Sequence, residues 1–259
     1  MCECLMSRVR YIANLNLPIL VFAISLLASP TQAQTTSTPL DPAFKQSVDD
    51  LIESYLRSRP EVIEQALQGL AVKRQENESA RIHQMIAEHQ AELERDPASP
   101  VGGNAAGDVT VVEFFDYRCT YCKRVASVLE QLQNDDAHVR IVYKDFPILG
   151  ADSLSAASAA LAAQSQGRHH AFHRAMLAAT DRLTKEQILR IAQEVGLNIE
   201  QLVADMDTSE QLTTITRNQT LAKVLGITGT PAFVVGNQLV LGAVDLTVLK
   251  TLIAQARAR

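Results

Sequence analysis

Cysteine is scarce in this chain: there are four among 259 residues, and two of them, Cys2 and Cys4, lie ahead of every other patterned segment. A disulfide-stapled scaffold is thereby excluded, because small cross-linked folds need a denser set. No second C-x-x-C accompanies Cys119 and Cys122 to complete a zinc site, and Cys2-x-Cys4 has no further ligand near it. Basic charge is in deficit, with 24 Lys and Arg against 29 Asp and Glu and a formal net charge of -5. No cationic excess is left to neutralise a phosphate backbone, so nucleic acid is not an expected partner. Internal repeats and low-complexity tracts are absent from the sequence. Its 47% hydrophobic content, over this length, is enough for one full core with a smaller appendage.

The first residues have the pattern of a targeting segment. Arg8 and Arg10 precede a mainly apolar run over residues 15–27, broken by Asn16 and Pro18, and Thr31-Gln32-Ala33 supplies small residues where a signal peptidase cuts. Residues 1–33 are therefore expected to be a signal peptide that delivers the chain to the periplasm. The competing reading, an uncleaved anchor, is opposed by the polar stretch 34–39. No cysteine follows the apolar run where lipidation would need one. Cleavage after Ala33 removes Cys2 and Cys4 and leaves only Cys119 and Cys122. Two cysteines in an exported chain too large to need a staple point to redox chemistry.

Residues 34–95 are expected to form a helical leader. Phe44, Val48, Leu51, Ile52, Tyr55 and Leu56 recur at helical spacing, and Pro60 then opens a second stripe of Val62, Ile63, Ala66, Leu67 and Leu70. Residues 73–80 are almost wholly polar before Ile82, Met85, Ile86 and Leu93 resume the seam. The pattern predicts a long helix with a solvated middle, whose stripe must dock on the main domain or on copies of itself. A charged tether is the alternative, since no sustained heptad runs through the middle. Residues 96–108, rich in Pro and Gly, are expected to be a linker.

The catalytic domain is expected to span residues 109–259. Strands are predicted at 109–115, 139–143, 232–235 and 239–241, with helices at 123–132, across an alanine- and leucine-rich block at 152–180 and 183–225, and at 244–256. Strand, helix, strand, helical block, hairpin and helix is an α/β order of thioredoxin type, with a helical insertion over about residues 151–226.

Cys119 and Cys122 fall where the first strand runs into the first helix. There the first sulfur meets free N–H groups and the positive end of the helix dipole, so Cys119 is expected to be a nucleophile of lowered pKa. Cys122, one turn on, is expected to be the resolving thiol. Thr120 and Tyr121 between them influence how strongly the thiolate is stabilised. Glu113 on the entering strand is expected to point inward with a raised pKa and to relay a proton to or from the resolving thiol; an exposed strand acid is the alternative. Thr230-Pro231 is a candidate cis peptide bond, although a trans turn is the commoner case. His169 and His173 share a helix face beside His170, which raises a metal reading against that of a solvated helix start. Tyr117, Arg118 and Lys123 flank the pair, either to contact substrates or favour the thiolate, or as surface side chains with no special role.

The run Val111-Val112-Glu113-Phe114-Phe115-Asp116-Tyr117-Arg118-Cys119-Thr120-Tyr121-Cys122-Lys123 closely resembles the active-site signature of DsbA-like thioredoxin-fold proteins. Tyr143-Lys144-Asp145-Phe146-Pro147-Ile148-Leu149-Gly150 and Gly229-Thr230-Pro231 strengthen the likeness. The leader and linker are similar to those of the suppressor-of-copper-sensitivity C and Com1-like branch. The resemblance implies Glu113 as the buried acid, Cys119 and Cys122 as the redox pair, and Thr230 and Pro231 as a substrate-binding cis-proline loop, with Thr120 and Tyr121 beside the client. No cofactor is expected beyond the redox-active Cys119–Cys122 disulfide and no metal site is assigned, while the resemblance leaves room for copper binding by these thiols as a side function. The implied partners are exported cysteine-containing client proteins and a membrane thiol electron donor or acceptor, with a homotrimer through residues 34–95 if the leader self-associates. Three functions remain open: disulfide isomerase or reductase, dithiol oxidase, and a copper-binding protein of copper tolerance.

Overall fold

The computed structural model describes residues 41–258, so the expected signal peptide and its cleavage site lie outside the described residues. Internal contacts divide the chain after Pro60. The first unit contributes one described helix, α1 (Pro42–Ser58), capped by Asp41, whose carboxylate accepts from the Ala43 N–H at 3.1 Å. Proline at its first position fits, because that N–H has no intrahelical partner to lose. Phe44, Val48, Leu51, Ile52 and Tyr55 are all exposed on it.

The second unit, from Glu61, takes in α2 (Pro60–Glu88) from its second residue, then α3 (Gln90–Glu94), β1 (Val101–Gly103), β2 (Val109–Phe115), α4 (Thr120–Asp135) and β3 (Val139–Asp145). Five helices follow: α5 (Ala151–Ala162), α6 (His169–Ala178), α7 (Lys185–Glu194), α8 (Ile199–Met206) and α9 (Ser209–Val224). The hairpin β4 (Ala232–Val235) and β5 (Gln238–Leu241) and the helix α10 (Leu246–Arg257) close it. The sheet order is β1-β3-β2-β4-β5, with β2 and β3 parallel and the other neighbours antiparallel. No described helix is long and apolar enough to cross a membrane.

Strand parity divides the core. On β2, Val109, Val111 and Phe115 face a cluster with Leu129 and Leu132 of α4, Phe172 and Met176 of α6 and Leu249 of α10. Val112 and Phe114 face the opposite way, onto Leu221, Leu225, Ile86 and Leu93. Both faces of the central strands are covered, which is why they read as continuous apolar runs. Glu113 has the parity of Val111 and Phe115 and so lies on the α4 side of the sheet.

The linker expected at 96–108 is instead part of the packed domain, and the core reaches back to Ile86 and Leu93 in the expected leader. Val101 pairs with Val142 and Gly102 with Ile141, so β1 is an edge strand. Glycine is needed at 102 because a Cβ there would come within 2.8 Å of the Tyr143 ring. Lys144, on the opposite face from Glu113, is fully buried and ties this segment down. Its ammonium donates to the Glu92 carbonyl at 2.6 Å and the Ser99 hydroxyl at 2.7 Å, with the Asp96 carboxylate at 3.6 Å. Burial pushes its pKa down to about 8 despite Asp96. Removing Lys144 takes the donor from the Glu92 carbonyl and the Ser99 hydroxyl and leaves Asp96 with Arg217 as its one cation among the described residues, at 3.4 Å. Lys144→Ala is expected to cost about 3 kcal/mol in urea denaturation at pH 7, whereas a variant within 0.5 kcal/mol of wild type would show that this anchor is not structural.

Candidate functional site

β2 delivers the chain to a turn at residues 116–118, and Cys119 then stands as the N-cap of α4 with extended backbone (φ -74°, ψ 117°). Its side chain makes no capping bond, so the sulfur sits at the positive end of the helix without being tied to the helix's own N–H groups. The Cys119 thiol lies 3.2 Å from the Thr230 carbonyl, to which it donates. The Thr230–Pro231 bond is cis, and Pro231 is buried. Cys122 faces inward at 1% exposure, against 7% for Cys119. Both cysteines are free thiols. Burial, and after it the nearby Glu113, push the Cys122 thiol far above its ordinary range. Thr120 and Tyr121 are exposed, and the Arg124 guanidinium lies 4.4 Å from the centre of the Tyr121 ring.

Glu113 is 1% exposed, and one of its carboxyl oxygens has no hydrogen-bond partner. Desolvation, with Asp145 as a secondary cause, pushes its pKa up to about 8. Two further acids that the sequence reading did not single out complete the surroundings. Asp116 is a hub: its carboxylate accepts from the N–H groups of Arg118 (2.8 Å), Ile148 (2.9 Å) and Leu149 (3.1 Å), while its carbonyl accepts from the Cys119 N–H at 3.0 Å. An aspartate directly after a strand and two residues before its own acceptor bond is a local turn signal that could have marked it. Asp145 is buried with both oxygens unpartnered, and burial, followed by Asp116, holds its pKa well above the carboxylate range. Its parity with Ile141 and Tyr143 was the only available sign.

The histidines correct an expectation. His169 and His173 are not at a solvated helix start; they are buried in an aromatic cluster, and only His170 is exposed. The Tyr117 hydroxyl and His173 Nδ1 are 2.8 Å apart, and the His173 ring lies 4.3 Å from Tyr143 and 5.0 Å from Phe115. Burial pushes His169 down to about 3 and His173 well below its ordinary value, so both are neutral. Tyr117 is likewise a core residue rather than a surface flank, at 1% exposure. Among the described residues, no group of three or more His, Cys, Asp or Glu side chains is gathered so as to hold a metal ion.

A profile of the DSBA-like thioredoxin domain matches residues 110–254, more than half of the chain. The chain belongs to the DsbA-like thioredoxin family. Among solved structures, a thioredoxin-like oxidoreductase from Silicibacter pomeroyi is 46% identical with a TM-score of 0.64, over 65% of this chain and 98% of that one. Proteus mirabilis ScsC in a transitional conformation is 28% identical with a TM-score of 0.62, over 85% and 99%. Salmonella enterica Typhimurium BcfH is 26% identical with a TM-score of 0.68, over 83% and 96%. The ScsC and BcfH matches extend into the leader, which fits the ScsC-type branch of the DsbA-like family. A curated relative, the Na(+)/H(+) antiporter NhaA 3 of Salinispora tropica, is 28% identical over 61% of this chain. The chain spans about a quarter of the length of the curated relatives it matches.

Proposed function

We propose that this chain is a periplasmic thiol-disulfide oxidoreductase that isomerises or reduces disulfides in exported client proteins. One observation carries the reading: a cysteine at a helix N-cap, in contact with the carbonyl before a cis-proline, has a deeply buried second thiol one turn behind it. Residues 1–33 would act as the export signal, and the chain from 109 onward as the catalytic domain.

In the reductive direction, the Cys119 thiolate attacks a client disulfide, forming a mixed disulfide and releasing one client thiolate, which takes a proton from water. Cys122 then gives its proton to the Glu113 carboxylate and attacks the Cys119 sulfur. The second client sulfur leaves as thiolate, and Cys119–Cys122 becomes the disulfide; two electrons have passed to the client. Isomerisation stops short of that oxidation, when another client thiol resolves the mixed disulfide. Thr230 and Pro231 would hold the client backbone alongside Cys119, with Thr120 and Tyr121 at the rim. A dithiol-class donor in the membrane would return two electrons to the oxidised pair.

Refolding assays separate the directions. A scrambled test protein is expected to regain activity with the reduced chain; recovery only of a fully reduced test protein would favour the oxidase reading.

The exposed face of α1 supports assembly through the leader into a homotrimer, which would set several Cys119 sulfurs around one client. Leu51→Glu with Ile52→Glu is then expected to reduce the light-scattering mass from three chains to one. An unchanged mass per particle would remove α1 from assembly.

A further inference from the structure

A cleft of about 730 Å³ opens beside the start of α4, lined by Arg118, Lys123, Arg124, Arg182 and Asp181 over an apolar floor that includes Leu177 and Leu183. Four cations and one acid make it locally positive on a chain whose net charge is -5. Asp152 offsets part of this, at 2.8 Å from Arg182 and 3.9 Å from Arg118. Among the described residues, Lys123 and Arg124 have no carboxylate within ion-pair distance. Lys123 donates to the Ala179 carbonyl, and Arg124 lies over Tyr121. Two cations thus hold hydrogen bonds or ring contacts but no counter-charge, next to the N-terminus of a 16-residue helix whose dipole adds to the same field.

We infer that this cleft recognises a carboxylate carried by the client polypeptide close to its reacting cysteine. Thr120 lines the cleft directly after Cys119, and the Lys123 N–H bonds the Cys119 carbonyl at 3.1 Å, so Lys123 stands one helical turn from the sulfur. One turn is about 5.4 Å, which an extended client covers in about two residues. The favoured acid therefore lies one to three positions from the client's cysteine. The floor suits the methylene groups of a glutamate, and the rim its charge. This selectivity rests on the exchange chemistry proposed above.

The test uses the full chain and two disulfide-linked peptides that differ only in Glu or Gln two residues from cysteine. The Glu peptide is expected to have kcat/KM about fivefold higher at low salt, the scale of exposed ion pairs, and the advantage should vanish at about 0.5 M salt. Arg124→Gln together with Lys123→Gln should bring the Glu-to-Gln ratio close to one. Equal wild-type rates for the two peptides, or a ratio unchanged in the double variant, would overturn the inference. Calorimetry with the same peptides carrying serine for cysteine reads the cleft without chemistry: tighter binding of the Glu peptide upholds it, and equal binding overturns it. If neither peptide is turned over while the Glu analogue binds tighter, the exchange reading fails and the cleft reading stands. A γ-glutamyl tripeptide disulfide turned over faster than the acidic peptide would assign the cleft to a small anionic thiol and overturn the client reading.

Discussion

Cys119→Ser is expected to lower thiol-disulfide exchange by a thousandfold or more, on the order of losses seen when a nucleophile is removed, while Cys122→Ser keeps the first attack and accumulates the mixed disulfide. The asymmetry follows from position. Cys119 is the N-cap of α4, touches the Thr230 carbonyl and is the more exposed of the two. Cys122 is at 1% exposure with its thiol held protonated by desolvation, so it is expected to react only with a sulfur brought to it through Cys119. Non-reducing gels of each variant with a disulfide-bonded client make the comparison. A mixed disulfide formed by Cys119→Ser but not by Cys122→Ser would reverse the two roles.

Glu113→Gln should change both rate and stability. Under the proposed proton relay, resolution in the reductive direction needs Glu113 ionised, so the wild-type rate should climb with pH and level off near its pKa of about 8. The variant should resolve about a hundredfold more slowly at pH 7 and lack that plateau. For stability the direction is the reverse. The folded protein keeps the Glu113 proton up to about pH 8, whereas the ordinary carboxyl releases it near 4.5. The stabilisation from this group is therefore complete below about pH 4.5 and drains away as pH rises through 8. His169 and His173 act oppositely, losing stabilisation as pH falls below their ordinary value of 6.5; they, Asp145 and Lys144 are common to wild type and variant, so the difference between the two over pH 6.5 to 8 reads Glu113. Across that range the wild type should lose roughly 2 kcal/mol relative to Glu113→Gln, at about 1.4 kcal/mol per pH unit. Parallel stability curves in urea would show that Glu113 does not titrate there.

Local patterns made the catalytic framework legible. The β-branched runs of β2 and β3, the cysteine pair at the junction with α4, and the turn at Gly236 between β4 and β5 are signals within short windows. The edge strand β1 was not, because Val101-Gly102-Gly103 reads as a flexible link until the Tyr143 ring is placed against Gly102. The buried histidines were half legible. His169, Phe172, His173 and Met176 form one helical stripe, but the partner that makes an imidazole tolerable there, Tyr117, is 56 residues away in sequence. Lys144 is similar: its strand parity with Val142 points inward, while its acceptors at Glu92 and Ser99 come from a segment that looks solvated. Asp145 is a third case: its parity with Ile141 and Tyr143 points inward, but its place at the strand end reads equally well as an exposed acid.

The most direct test is brief alkylation of the reduced native protein at pH 7, followed by peptide mass spectrometry. Label on Cys119 with little or none on Cys122 is the predicted result; label shared equally between the two, or confined to Cys122, would contradict the proposed division between an attacking and a resolving sulfur.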